Sequence, residues 1–216
     1  MAIYGEGASA LAEVGRIRRR GRPFEFEHGV PPIGRYPPDD LTIAEAIEAI
    51  RNAPVEIGYG FDAAGRQVFR QVGDQDAISW FDPRDLMAIA SGTFVHSHPP
   101  YVEFSAGDPR RRAGSFSALD LAFTYEVQLT EMIAVTKERT YRLRQLLGGF
   151  FLDPGQIYDE YEVQRVRVIE ELRQDAARGN ISVEEAAAAG RIADEVMERL
   201  RFYFDYRWSE VTEDAS

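Results

Sequence analysis

TFVHSHPP, residues 93–100, has the composition of a short strand that two prolines bring to an end. Alternate side chains of a strand share a face, so His96 and His98 project in the same direction and can reach one metal ion. A His-x-His pair alone is weak evidence, because two core or surface histidines also explain it. The chain has only three histidines, however, and two of them lie in this tripeptide.

The sequence before this motif predicts a helix, a hairpin and a second helix. Thr42 and Glu45 have the spacing of a capping box, and apolar residues at helical intervals follow over residues 43–53. Two alternating apolar runs then flank residues 62–65, which have the composition of a hairpin turn. A short helix follows, opened by Asp82 and Pro83 and ended by Gly92.

The sequence after the motif predicts a long loop over residues 101–116, then a helix over residues 117–129 with Ser117 near its start. Residues 131–146 have the pattern of another hairpin. Beyond residue 155 the apolar spacing becomes helical over 155–178 and again over 182–204, with a break at residues 179–180. We interpret this last region as an antiparallel helical hairpin.

The composition limits the metal chemistry. The chain has no cysteine, so thiolate sites are excluded and a metal must be held by histidine and carboxylate. Zinc suits two imidazoles and one carboxylate, with a fourth position left for water in a catalytic site. We therefore expect a carboxylate from elsewhere in the chain to join His96 and His98.

The order of these parts resembles the JAMM (JAB/MPN) zinc metalloprotease family. The family pattern is a glutamate on an early strand, then His-x-His-Pro, then Ser-x-x-Asp at the start of a helix. All three parts are present between about residues 42 and 143. The resemblance implies an α/β (α+β) fold, with a curved, mostly antiparallel mixed sheet flanked by helices.

The resemblance also implies a role for each matching residue. His96, His98 and Asp120 match the zinc ligands, and Glu56 matches the general base toward the attacking water. Ser117 matches the serine that stabilises the oxyanion. These roles are chemically sound, because zinc acidifies water and polarises a carbonyl, while a nearby carboxylate accepts the proton. A structural interpretation of each stays open: Glu56 as a sheet-edge residue, and Ser117 as a simple helix cap.

A second Ser-x-x-Asp, Ser105 to Asp108, competes for the third ligand position. Its distance from the histidines is nearer to the usual family spacing, although one residue shorter than expected, whereas the interval from His98 to Ser117 is longer than the family commonly shows. We favour Asp120, because Gly107, Pro109 and Gly114 make the earlier segment a poor helix. On this interpretation the loop is an insertion beside the site that can contact substrate.

We divide the chain into an N-terminal helix and proline-rich arm (1–40), a JAB/MPN-like domain (41–150) and a C-terminal helical hairpin (151–216). The third histidine, His28, falls in the arm, where we expect a structural or surface role. The hairpin could cover one face of the domain, bind a partner or dimerise.

The predicted function is hydrolysis of peptide or isopeptide bonds by zinc, with a protein substrate such as a ubiquitin-like conjugate on lysine. Two alternatives stay open: a toxin- or effector-type amide hydrolase, and a catalytically silent MPN-type scaffold. Silent members typically lose the ligands or the glutamate, and this chain has them all.

The net charge of −11 argues against nucleic-acid binding. With no apolar run near 20 residues and no signal-like start, we expect no membrane span and a cytoplasmic location.

Overall fold

A computed structural model describes residues 32–78, 81–146 and 153–211. The predicted N-terminal helix, His28 and most of the proline-rich arm lie outside them. Within the described part, seven strands, six α-helices and one short 3₁₀ helix follow this order: β1 Gly34–Tyr36, α1 Ile43–Ile50, β2 Ile57–Phe61, β3 Gln67–Val72, α2 Pro83–Ile89, β4 Thr93–Ser97, the 3₁₀ helix Pro109–Arg111, α3 Ala118–Glu126, β5 Glu131–Val135, β6 Arg139–Gln145, α4 Pro154–Ala177, α5 Val183–Ala186, α6 Ala189–Arg199 and β7 Phe204–Glu210.

The strands form one open mixed sheet in the order β1-β3-β2-β4-β5-β6-β7. Neighbouring strands are antiparallel except β4 and β5, which are parallel in the middle of the sheet. A parallel pair needs a crossover, and α3 provides it. The first turn of α3 therefore lies at the carboxyl end of β4, although twenty residues, 98–117, separate the two elements in sequence. The predicted α/β class, with a mixed sheet and a C-terminal helical region, is confirmed.

Alternation along the strands builds two cores, one on each face of the sheet. On one face α1 packs through Ala46, Ile47 and Ile50 onto the sheet. On the other face α2 to α6 cover the larger core, whose sheet side includes Phe94 of β4. Within β4, Val95 belongs to the first core and Phe94 to the second, so His96 points toward α3.

The local signals in the sequence place the helix starts and the first hairpin correctly. Thr42 with Glu45 and Ser117 with Asp120 both form complete capping boxes. Asp82 caps α2, and Pro83 is its first residue. Gly65 ends the β2–β3 turn with φ 77°, a conformation that glycine adopts without strain.

The secondary structure of residues 182–210 differs from the prediction of a single helix over residues 182–204. That segment forms two helices, α5 and α6, and residues 204–210 form β7, which pairs antiparallel with β6. Phe204 and Tyr206 alternate into the larger core, and Tyr206 pairs with Leu143 of β6. Tertiary pairing thus overrides a pattern that also fits a helix.

The end of the proline-rich arm is tied to the sheet. β1 pairs with β3, and the Arg35 guanidinium donates two hydrogen bonds to the buried carboxylate of Asp85 at 2.6 and 2.8 Å. Among the described residues, no helix combines the length and the apolar character that crossing a membrane requires.

Candidate metal centre

The two histidines of the central motif lie at the carboxyl end of β4. His96 belongs to the strand and is 2% exposed, whereas His98 follows its last residue. The backbone nevertheless continues in register, because the His98 N–H donates to the Val135 carbonyl oxygen of β5 at 2.8 Å. The two imidazole centres are 4.6 Å apart, so the shared face expected from the sequence is preserved.

Asp120, in the first turn of α3, completes a group of three potential ligands. His96 Nε2 lies 2.8 Å from His98 Nε2 and 3.3 Å from Asp120 Oδ1. His98 Nε2 lies 3.7 Å from Asp120 Oδ2. One ligand atom from each residue falls within 4.8 Å of the others, so these three side chains can hold a metal ion.

The hydrogen bonds of His98 prepare its Nε2 for a metal. Its Nδ1 is 3.0 Å from the Gly114 carbonyl oxygen, and a carbonyl can only accept, so we assign the proton to Nδ1. The Nε2 lone pair of neutral His98 then faces the site. Burial, reinforced by the charge of His96 and opposed by Asp120, lowers the pKa of His98. The neutral form is the one that binds metals.

His96 has an unsatisfied nitrogen. Its Nδ1 is buried and has no hydrogen-bond partner among the described residues. If Nδ1 carries the proton, the two Nε2 lone pairs face each other at 2.8 Å, an arrangement that a bound cation stabilises. A metal-ligating histidine usually donates its second N–H, which His98 does and His96 does not.

The two carboxylate oxygens of Asp120 have different partners, one in the helix cap and the other at the histidines. Oδ2 accepts hydrogen bonds from the Ser117 N–H and O–H, both at 2.7 Å, while Oδ1 faces His96. Burial acts to raise the pKa of Asp120, but the two histidines and the Ser117 N–H outweigh it, so the pKa is lowered. The carboxylate is thus held in its charged, ligating form.

The spacing of these donor atoms is close to that of a tetrahedral metal site. Tetrahedral ligands at roughly 2.05 Å from zinc are about 3.3 Å from one another. The separation of His96 Nε2 from Asp120 Oδ1 already has that value. The two histidine nitrogens have to part by about 0.5 Å, a small rotation of two rings.

Glu56 lies beside the metal centre, immediately before β2. Gly58 pairs with His96, and two further positions along the same antiparallel register put Glu56 opposite His98. Burial, followed by the negative charge of Asp120, raises the pKa of Glu56 well above its ordinary value. The Ile78 N–H donates to the carboxylate and opposes this shift. Glu56 is therefore a half-buried carboxyl group with a raised pKa, as enzymes commonly arrange for a general base.

Ser97 lies between the two histidines and holds the backbone on both sides of Glu56. The sequence pattern did not predict this role of Ser97. Its buried hydroxyl accepts from the Ile57 N–H at 2.8 Å and donates to the Val55 carbonyl oxygen at 3.0 Å. The residues on both sides of Glu56 are thus fixed to the strand that carries the histidines. The His-Ser-His motif does not indicate these hydrogen bonds, because Val55 and Ile57 lie some forty residues earlier in the sequence.

The competing aspartate has a different role. Asp108 caps the 3₁₀ helix and forms an ion pair with Arg110 at 2.6 Å. It does not belong to the metal-capable group found among the described residues. The structure therefore brings Asp120, rather than Asp108, to the two histidines.

No protein-family model matches this chain, and neither the curated proteins nor the solved structures that were searched include a match. The resemblance to JAMM proteins consequently rests on the motif residues of the sequence alone.

Proposed function

We propose that the chain is a zinc-dependent hydrolase of amide bonds, with His96, His98 and Asp120 as zinc ligands and Glu56 as general base. One observation carries the proposal: three ligand atoms of the type zinc prefers converge beside a half-buried carboxyl group of raised pKa. Three protein ligands would leave a coordination position for water, which distinguishes catalytic zinc sites from structural ones.

Zinc, when bound, supplies the Lewis acidity that acidifies water and polarises a carbonyl group. The side chains of this chain supply the remaining steps. Glu56 accepts a proton from the attacking water and transfers it to the leaving amine. Burial and the charge of Asp120 raise the pKa of Glu56, and the positive charge of a bound metal would oppose this shift and favour the carboxylate form that accepts a proton.

Ser117 would stabilise the oxyanion of the transition state. It is exposed at the start of α3, where a substrate carbonyl can approach it. Its O–H donates to Asp120 Oδ2, so catalysis requires that this proton turn toward the substrate oxygen. The Ser117 N–H keeps Asp120 in place meanwhile. Capping and catalysis are therefore compatible at this residue.

The substrate class follows from the resemblance to JAMM proteins: a protein whose peptide or isopeptide bond joins a ubiquitin-like modifier to lysine. The loop over residues 101–112 is the nearest candidate for substrate contact. Its Arg111 guanidinium donates to the Phe104 carbonyl oxygen at 2.9 Å, and Arg110 stacks on the Phe104 ring at 4.6 Å. These contacts give the loop a defined conformation, which a specific protein substrate needs.

The direct test combines metal analysis with a cleavage assay. Native protein should contain about one zinc per chain, and cleave a fusion in which a ubiquitin-like domain is joined by an amide to a reporter. Chelation should abolish cleavage, and added zinc should restore it. A zinc-loaded protein that cleaves neither this fusion nor other amide substrates would instead indicate a scaffold.

Ser97→Ala should lower hydrolysis by about 10–100-fold with little change in zinc content, because a small displacement of Glu56 weakens a positioned base. Steady-state kinetics and metal analysis on the same preparation measure both effects. Ser97→Thr is the matched control, since it keeps the hydroxyl and suits a strand. Equal activity of the native and Ala proteins would show that Glu56 does not depend on this hydroxyl.

A further inference from the structure

The loop that leads into α3 carries the carbonyl group that orients His98. Gly114 O is 3.0 Å from His98 Nδ1, and it is the oxygen to which that ring donates. The direction of the His98 lone pair thus depends on where residues 112–116 lie. Nothing in the JAMM-like motif fixes these residues, so the contacts that hold them come from elsewhere in the fold.

A half-buried carboxylate on α6 holds this loop. Asp194 Oδ1 accepts from the Ser115 N–H at 2.9 Å, one residue beyond the Gly114 carbonyl. Its other oxygen, Oδ2, lies 3.3 Å from both the Arg139 guanidinium and the Tyr141 hydroxyl of β6. Asp194 is therefore anchored to the sheet on one side and to the loop on the other.

Backbone packing and a second hydrogen bond reinforce this attachment. A Cβ on Gly114 would lie 2.4 Å from the Gly190 carbonyl oxygen, so the loop touches the backbone of α6 directly. From α4, the buried Tyr161 hydroxyl donates to the Phe116 carbonyl oxygen at 3.1 Å. Three separate contacts from the C-terminal helices thus fix residues 114–116.

We infer that Asp194 is a positioning residue of the metal centre, acting through the Ser115 N–H and the Gly114 carbonyl on the His98 ring. The inference rests on the metal binding in the proposed function, although not on hydrolysis. It makes the C-terminal helices part of the support of the site. Outer groups that orient a ligating histidine typically change metal affinity 10–100-fold when they are removed.

The test uses Asp194→Ala, which removes the acceptor for the Ser115 N–H at a position where alanine suits a helix. We expect zinc affinity, measured by competition with a chromogenic chelator, to fall about tenfold. We also expect ¹⁵N NMR of the metal-free protein to show His98 passing from the Nδ1–H tautomer to a mixture of tautomers. Asp205→Ala is the control, because Asp205 pairs with Arg207 on β7 and has no bond to the loop.

Each outcome has a distinct meaning. Native affinity together with a native His98 tautomer in a folded Asp194→Ala protein would overturn the inference, even if thermal stability fell. Absence of zinc binding in the native protein would instead refute the proposed function, and the tautomer measurement would still test the role of Asp194. If Asp194→Ala does not fold, Asp194→Leu replaces it, because leucine fills nearly the same space and also lacks an acceptor for the Ser115 N–H. Native affinity and a native His98 tautomer in that protein would likewise overturn the inference.

Discussion

Glu56→Gln should lower hydrolysis by about 10²–10⁴-fold, the usual contribution of a general base, while zinc content stays at the native level. Glutamine has nearly the shape of glutamate and still accepts from the Ile78 N–H, but it cannot take a proton from water. Because Glu56 is not among the metal-capable residues, its loss should spare metal binding. The measurement is kcat/KM for the amide fusion, with zinc determined in parallel.

Glu103→Gln is the matched control, since Glu103 is an exposed glutamate of the neighbouring loop. We expect it to retain native activity. The lost interaction acts mainly in the transition state, so KM of the Glu56 variant should change little. Equal cleavage by native protein and Glu56→Gln would remove Glu56 from the mechanism, and a defect in Glu103→Gln would then make Glu103 the base to examine.

Asp120→Asn should weaken zinc binding by at least about 100-fold and abolish turnover. A neutral amide is a poor ligand for zinc, and removal of a ligand exceeds the 10–100-fold cost of losing an outer-shell contact. The asparagine side-chain oxygen can still accept from the Ser117 N–H, so α3 should keep part of its cap. Competition with a chelator measures the affinity, and circular dichroism checks the helix.

Asp108→Asn provides the comparison within the same pair of Ser-x-x-Asp segments. It should leave zinc affinity and turnover close to native, because Asp108 is engaged with Arg110 and the 3₁₀ helix. The reverse result, with native zinc binding in Asp120→Asn and loss in Asp108→Asn, would contradict the assignment of the third ligand.

Local signals were sufficient for much of the fold. The capping boxes at Thr42 and Ser117 each involve two residues three positions apart, so the local sequence is enough to predict them. The β2–β3 and β5–β6 hairpins likewise depend on neighbouring residues and short turns. The sequence pattern therefore predicts these elements with nearly correct limits.

β7 could not be predicted in the same way. Residues 200–204 continue a helical pattern, and the strand that begins at Phe204 is stabilised by hydrogen bonds to β6, some sixty residues earlier. The positioning contacts are also long-range: Ser97 holds the backbone next to Glu56, and Asp194 holds the loop next to His98. No local pattern encodes such pairs, because each depends on how the sheet and helices pack.

The sequence by itself determined the candidate metal ligands. Because the chain has no cysteine, a metal held by His96 and His98 needs a carboxylate as its third protein ligand. The helix start at Ser117 makes Asp120 a candidate for that position. Only the tertiary structure decided between Asp120, in the first turn of α3, and Asp108, in the loop that precedes this helix. The parallel pairing of β4 with β5 requires α3 to cross over the sheet and begin at the carboxyl end of β4. That crossover brings Asp120 Oδ1 within 3.3 Å of His96 Nε2, whereas Asp108 is held by Arg110 in the connecting loop.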